Sequence, residues 1–440
     1  MAAKTDRMAF FVPARSGTEK ARQILQHVFA NYQGRLAVRL GSDAETVAVG
    51  TSPSDCVLVF HRLQPLRDLI LAPDPLRLAD AHFRGWVDID GNIYTALEMR
   101  EYLQSLELPL AEKFSLWLSA LGLPDEVDAQ HAGIANRIWE KPRTMINHSR
   151  DMNREAIGFH YDVSNDFYRL WLDERMVYSC AYFRNANESL DDAQSNKLDL
   201  ICRKLRLQPG EKFLDIGCGW GALVIWAARH YGVEAHGITL SRNQYNHAVR
   251  RIRELGLEGR VSVELKDYRD LEGEGVYDKI SSVGMFEHVG LRNLPLYFST
   301  AHRLLRDGGL FLNHGITQDE MGGTSTVGFK FISKYVFPDG ELDWVSNIQR
   351  EMERCAFEIH DVESLRAHYA LTLRQWVGRL EAHHEDALQY VTEAVYRIWR
   401  MYMAGCALQF ENGEMGVYQI LAAKRNRQPL AMPLTRSYMT

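Results

Sequence analysis

No stretch of this sequence is apolar for the roughly 20 residues that a membrane span requires. Cysteine is scarce: Cys56, Cys180, Cys202, Cys218, Cys355 and Cys406 are scattered over 440 residues without a CxxC pair. That spacing argues against a zinc site and against a disulfide framework, and a reducing cytoplasm is the simplest home. Positive charge is not in excess. Lys and Arg number 51 against 57 Asp and Glu, a formal charge of −6, so no general nucleic-acid binder is expected. Internal repeats and low-complexity tracts are missing. The N-terminus, MAAKTDRMAFFVPARSGTEK, lacks an apolar core followed by a small-residue cleavage site, so no secretory signal is expected. What is present is a chain with 46% apolar and 25% charged residues, long enough for two or three domains.

Residues 1–140 mix strand-like pieces (RLAVRL, DCVLVF) with a turn-rich stretch, FRGWVDIDGNIYTALEM, in which Gly85 and Asp90 with Gly91 signal turns. They carry no catalytic constellation and read as a small N-terminal domain. Residues 141–154, KPRTMINHSRDMNR, are basic and polar and read as a linker or surface helix. From about residue 155 to 440 strand-like and helical runs alternate: EKFLDIG, GALVIWAARHYG, VEAHGITL, SRNQYNHAVRRIRELG, VSVELKDY. Alternation of this kind implies βαβ units and a parallel sheet.

The run FLDIGCGWGALVIW places Gly217, Gly219 and Gly221 at every second position after a strand that carries Asp215. Glycines there let a ligand approach the backbone at a helix N-terminus. The dinucleotide fingerprint GxGxxG is nearly met, with Gly221 out of register. The GxGxG spacing after an aspartate instead resembles the first motif of S-adenosylmethionine-dependent methyltransferases. Nucleotide folds of this kind usually carry an acid at the end of the second strand. Here Glu234 comes too early, and "TLSRNQ" stands in its place.

That departure resembles the cyclopropane fatty acid synthase and mycolic acid cyclopropane synthase family. Several segments occur in the family's order and spacing: FHYDVSNDFYRLWLDERMVYSCAYF, DIGCGWG, GITLSRNQ, KDYRDL, SVGMFEHVG, NHGIT, KYVFPDGELDWV and HYALTLRQW. The likeness is close over residues 155–425 and weaker over 65–110. It implies an α/β, Rossmann-like class I methyltransferase domain. Its seven-stranded, mostly parallel sheet would end in an antiparallel VYQILAAK, beside the smaller N-terminal domain. It also implies that Thr239 and Gln244 contact the cofactor's ribose or tail, and Tyr178 and Ser179 its amino-acid end. Tyr268 would bracket adenine, and Asp267 would accept from the adenine amino group.

The implied reaction adds a methylene from S-adenosylmethionine to the double bond of an unsaturated phospholipid acyl chain, closing a cyclopropane ring. An alkene is a poor nucleophile, and methyl transfer leaves a carbocation. The site therefore needs a placed sulfonium, a dry pocket and a base that does not capture the cation. By resemblance a bound bicarbonate serves as that base, caged by Cys180, Glu287, His314, Ile316 (through its backbone) and Tyr369. Glu287 suits an anion site if it accepts the O–H of bicarbonate. Each of these side chains, read alone, is equally a packed or capping residue. Cys406 matches a cysteine labelled catalytic in the family, yet the mechanism needs no thiolate and its helical spacing from Met403, Ala407 and Phe410 suits a core.

Phe159, Tyr161, Phe167, Tyr168, Phe331, Tyr335 and Phe337 are candidates for an acyl channel. Two basic clusters, Lys141, Arg143, Arg150 and Arg154 and then Lys424, Arg425 and Arg427, are candidates for docking on anionic lipid. The expected placement is cytoplasmic, peripheral at the inner face of the membrane, with a homodimer admitted. Two other readings stay open: a related methyltransferase that leaves a methyl or methylene branch or methylates a small amine, and a silent lipid- or cofactor-binding module.

Overall fold

A computed structural model describes residues 17–41, 46–124, 164–318, 326–336, 340–425 and 432–439. The chain divides into two compact units, residues 1–142 and 143–440. In the first, strands β1 (Leu36–Leu40), β2 (Thr46–Ala48), β3 (Cys56–Phe60) and β4 (Val87–Gly91) form one sheet in the order β2-β1-β3-β4. It is accompanied by helices α1 (Gly17–Val28), α2 (Gln64–Leu71), α3 (Pro75–Phe83), α4 (Ile93–Ser105) and α5 (Leu110–Leu121). The stretch read as turn-rich thus holds a strand and a helix. β4 pairs antiparallel with β3, and Asn92 caps α4 by accepting from the Tyr94 amide.

Among the described residues the second unit begins with α6 (Asn165–Arg169) and α7 (Leu190–Lys204). It then alternates β5 (Lys212–Ile216), α8 (Ala222–Tyr231), β6 (Glu234–Thr239), α9 (Arg242–Glu254), β7 (Val261–Leu265), β8 (Tyr277–Val283), α10 (Leu294–Leu304) and β9 (Leu305–Gln318). Helices α11 (Val327–Tyr335) and α12 (Val345–Arg354), strand β10 (Phe357–Ser364), helices α13 (Arg366–Ala382) and α14 (Glu393–Asn412), and strand β11 (Met415–Lys424) follow, with a single helical turn, His384–Ala387, between α13 and α14.

The seven strands lie in the order β10-β11-β9-β8-β5-β6-β7. Strands β5 to β9 pair in parallel, and β11 runs antiparallel between β9 and β10. This is the expected α/β class I methyltransferase sheet, with its expected antiparallel last strand. Successive residues serve opposite faces. Phe213, Leu310, Leu312 and Leu421 pack toward α8 on one side, while Leu214, Phe311 and Ile420 pack toward α10 on the other. The central strands are dry on both faces and read as near-continuous apolar runs, while the edge strands β7 and β10 mix buried with exposed positions. The chain order reverses between β5 and β8, and the carboxyl ends of the strands on either side of such a switch point form a crevice.

Candidate active site

Two cavities open at that crevice. The first lies on the glycine turn after β5. It is lined by Tyr178, Ser179, Asp215, Gly217, Gly219, Thr239, Gln244 and Tyr268, with Lys197, Trp220, Met285 and His288, and measures about 990 Å³ counted to its open mouth. Gly219 has φ +56, a left-handed conformation that disfavours a side chain, and a Cβ there would meet nothing within 4 Å. Its open side is the cavity. Gly221 differs: at φ +88 it precedes α8, and a Cβ would stand 3.0 Å from the Ala248 Cβ on α9, so it serves helix packing and does not line the cavity.

Burial decides two other readings. Gln244 is 7% exposed, lines the cavity, and its Oε1 accepts from the Thr239 hydroxyl at 2.7 Å. Asp267 spends both carboxylate oxygens on Arg269, at 2.9 and 2.6 Å, and also accepts the Arg269 amide. It is not among the residues that line the cavity, although its neighbours Lys266 and Tyr268 are. Asp215 is buried, accepts from the Ser281 hydroxyl at 2.6 Å, and is pushed up to about 6 by desolvation, against which Ser281 and the charge of Lys197 act.

The second cavity, about 1210 Å³ counted to its mouth, shares Tyr178, Ser179, Gly284 and His288 with the first. Cys180, Glu287, His314, Ile316, Tyr369 and Cys406 all line it. Five elements bring them together, Cys406 being carried by α14. The segment before α7 carries Cys180 and is tied to α13: the Ala181 amide donates to Thr372 at 3.0 Å and the Phe183 amide to His368 Nδ1 at 3.0 Å. Glu287 sits in the turn after β8. His314 is on β9 opposite Val283, whose neighbour Gly284 donates to the His314 carbonyl at 2.8 Å. Tyr369 is in α13, whose Arg366 caps the end of α14 by donating to the Phe410 and Glu411 carbonyls.

Glu287 is 5% exposed, and desolvation pushes its carboxyl up to about 7 despite the Ile316 amide, which donates to Oε1 at 2.7 Å. Oε2 is buried and has no hydrogen-bond partner among the described residues. The Ile316 amide therefore orients Glu287. His314 is held neutral: burial, then the charges of Lys197 and Lys204, lower it well below its ordinary value. Its Nδ1 meets the Gln419 amide at 3.3 Å. Burial pushes the Cys180 thiol well up, and the Cys406 thiol up to about 12, so neither is a thiolate at neutral pH.

The rest of the wall is mostly apolar, with Phe329, Ile332, Leu342, Leu373 and Phe410. This corrects the expected channel. Phe331 and Tyr335 pack on each other at 5.1 Å, away from the lining, while Phe329 and Ile332 of the same helix face it. Phe167 and Tyr168 are fully buried in an aromatic cluster with Trp171 and Trp399. Phe159, Tyr161 and Phe337 lie outside the described residues. Lys424 is no surface cation either: it is 8% exposed and donates to the Leu305 carbonyl at 2.8 Å. Lys141, Arg143, Arg150, Arg154 and Arg427 are outside the described residues.

Sequence reasoning passed over Lys197, Tyr402, Gln409 and Glu414, all of which line one of the cavities. Lys197 is one turn from Gln194 in α7, itself fully buried. A lysine three residues from a glutamine carries no signal of burial.

A model of the mycolic acid cyclopropane synthetase family matches residues 148–420. A probable fatty acid methyltransferase of Pseudomonas putida is 48% identical over 287 residues, covering 65% of this chain and 73% of that protein. A probable fatty acid methyltransferase of Mycobacterium tuberculosis is 38% identical over 364 residues, covering 81% of this chain and 84% of that protein. Among solved structures, the mycolic acid cyclopropane synthase CmaA1 complexed with SAH and CTAB is similar with a TM-score of 0.59 and 37% identity. The match covers 62% of this chain and 98% of that one.

Proposed function

The chain belongs to the mycolic acid cyclopropane synthetase family, and from that premise we propose that this S-adenosylmethionine-dependent methyltransferase converts the double bond of an unsaturated phospholipid acyl chain into a cyclopropane. The observation that carries the reading is the shared wall. A glycine-turn cavity suited to the cofactor meets, at Tyr178, Ser179, Gly284 and His288, a mostly apolar cavity with one polar corner. That the similar protein CmaA1 is complexed with SAH and CTAB supports the cofactor part of the reading.

In this account the alkene attacks the methyl carbon as the carbon–sulfur bond breaks and its electron pair stays on sulfur. A proton then leaves the new methyl group and the ring closes. The chain's own contributions are positional and electrostatic. Phe329, Ile332, Leu373 and Phe410 exclude water that would trap the cation. Cys180 and Cys406, kept as thiols, are weak competitors for it. The orphaned Oε2 of Glu287 fits an oxyanion that carries its own O–H, and bicarbonate is such a group. When bound, it supplies a base. Glu287 would accept its O–H, and the neutral His314 ring and the Tyr369 hydroxyl would hold its other oxygens. Substrate access in this reading is peripheral, from the inner face of the membrane.

The test is incubation with S-adenosylmethionine and vesicles of unsaturated phospholipid, followed by mass spectrometry of the acyl chains. A gain of one CH₂ at the former double bond is expected. No change in any acyl chain would remove the lipid reading. The relatives named fatty acid methyltransferases favour a second outcome, a methyl or methylene branch, and the position and unsaturation of the product separate the two.

A further inference from the structure

Lys197 in α7 is 2% exposed and lines the glycine-turn cavity with Ser179, Asp215, Gly217 and Gly219. An ammonium group is costly to bury unless its donors are matched. Lys197 has three donors. Among the described residues its one hydrogen bond goes to the Ser179 hydroxyl at 2.8 Å. The neighbouring carboxylates are engaged elsewhere: Asp173 accepts the Val177 and Arg175 amides at 2.7 and 3.0 Å, and Asp215 accepts from Ser281. Burial lowers Lys197 to about 8 and raises Asp215 to about 6, which leaves them oppositely charged at neutral pH. A cavity wall with one buried cation and one buried anion is complementary to a zwitterion. An α-amino acid carries both charges on a single carbon.

We propose that Lys197 receives the carboxylate of the cofactor's methionine tail, with Asp215 facing its amino group. The inference rests on the reading of this cavity as the cofactor site. It gives Lys197 a positioning role. By fixing the tail, Lys197 and Ser179 set where the sulfonium sits relative to Tyr178, which faces both cavities.

Titration calorimetry with S-adenosylmethionine and with its decarboxylated analogue tests this, in the absence of lipid. The analogue keeps the amine and the sulfonium and lacks the carboxylate. Wild-type protein should prefer S-adenosylmethionine. Lys197→Met should weaken S-adenosylmethionine by about 10- to 100-fold, the range for a lost charge-assisted hydrogen bond, and leave the analogue within about twofold. Lys197→Arg should retain part of the preference. Circular dichroism melts report whether each variant folds. If Lys197→Met fails to fold, the wild-type comparison still decides: equal affinity for the two ligands overturns the proposal. A Lys197→Met protein that keeps the full preference, or loses both ligands equally, also overturns it. Wild-type protein that binds neither ligand overturns the cofactor reading and the proposal together.

Discussion

Glu287→Gln exchanges a carboxyl for its neutral isostere in the polar corner of the second cavity, and the structure gives it two opposite effects. Catalysis should fall. A Gln side chain keeps an acceptor for the Ile316 amide but, in that orientation, presents an NH₂ donor where Oε2 now offers an unpartnered acceptor. Loss of a positioned proton-transfer partner typically costs 10² to 10⁴, so turnover should drop by about 10² or more at unchanged cofactor affinity. Stability should move the other way, and only at high pH. Burial raises the carboxyl from 4.5 to about 7. A group raised in the folded state contributes fully below the unfolded value and loses that contribution as pH climbs through the folded one. At about 1.4 kcal/mol per decade the whole loss is about 3 kcal/mol. Roughly 2 kcal/mol of it falls between pH 5.5 and 8.5 by the same linkage. Glutamine loses nothing over that range. Thermal melts of the apo proteins should therefore show the variant gaining on wild type by about 4 °C between those pH values, at about 2 °C per kcal/mol for a unit of this size. Full turnover in the variant would refute the role of Glu287 in holding the base. A stability difference independent of pH would refute the burial argument beneath it.

Other consequences can be read more quickly. Gly219→Val should fold but lose S-adenosylmethionine affinity by about 100-fold or more, since its side chain enters the open space of the cofactor cavity at a left-handed φ; calorimetry showing unchanged affinity would move the site elsewhere. Cys406→Ser should keep turnover within about threefold, because a thiol raised to about 12 is not a nucleophile at neutral pH; a loss of 10² would restore a catalytic thiol. Turnover should fall in buffer stripped of bicarbonate and return when it is added back, and rates indifferent to it would exclude the anion.

Much of the catalytic unit was legible because its central strands are dry on both faces and its helices alternate with them. Runs such as EKFLDIG and GGLFLNHGIT carry β5 and β9 in their composition alone. β4 was not legible: VDIDG is half polar and becomes a strand through its ladder with Cys56–Phe60. The choice between Phe331 and Phe329 in α11 fails for a related reason. In the nine residues VGFKFISKY only Lys330, Ser333 and Lys334 are neither apolar nor aromatic, so the apolar face is wide, and which part of it meets the cavity depends on its neighbours. Basic residues mislead most. Lys197 and Lys424 have the side chain of a surface residue, and tertiary contacts alone bury them. The partnership of Ile316 with Glu287 lies in the backbone and leaves no trace in residue type.

The most direct test of the central claim is the fate of the transferred hydrogens. Vesicles of a monounsaturated phospholipid would be treated with S-adenosylmethionine deuterated at the methyl group, and the product acyl chain weighed and tested for residual unsaturation. Ring closure by removal of a proton from the new methyl group predicts two deuterium atoms retained on one added carbon and no remaining double bond. Three retained deuterium atoms, or a double bond that survives in the product, would contradict it.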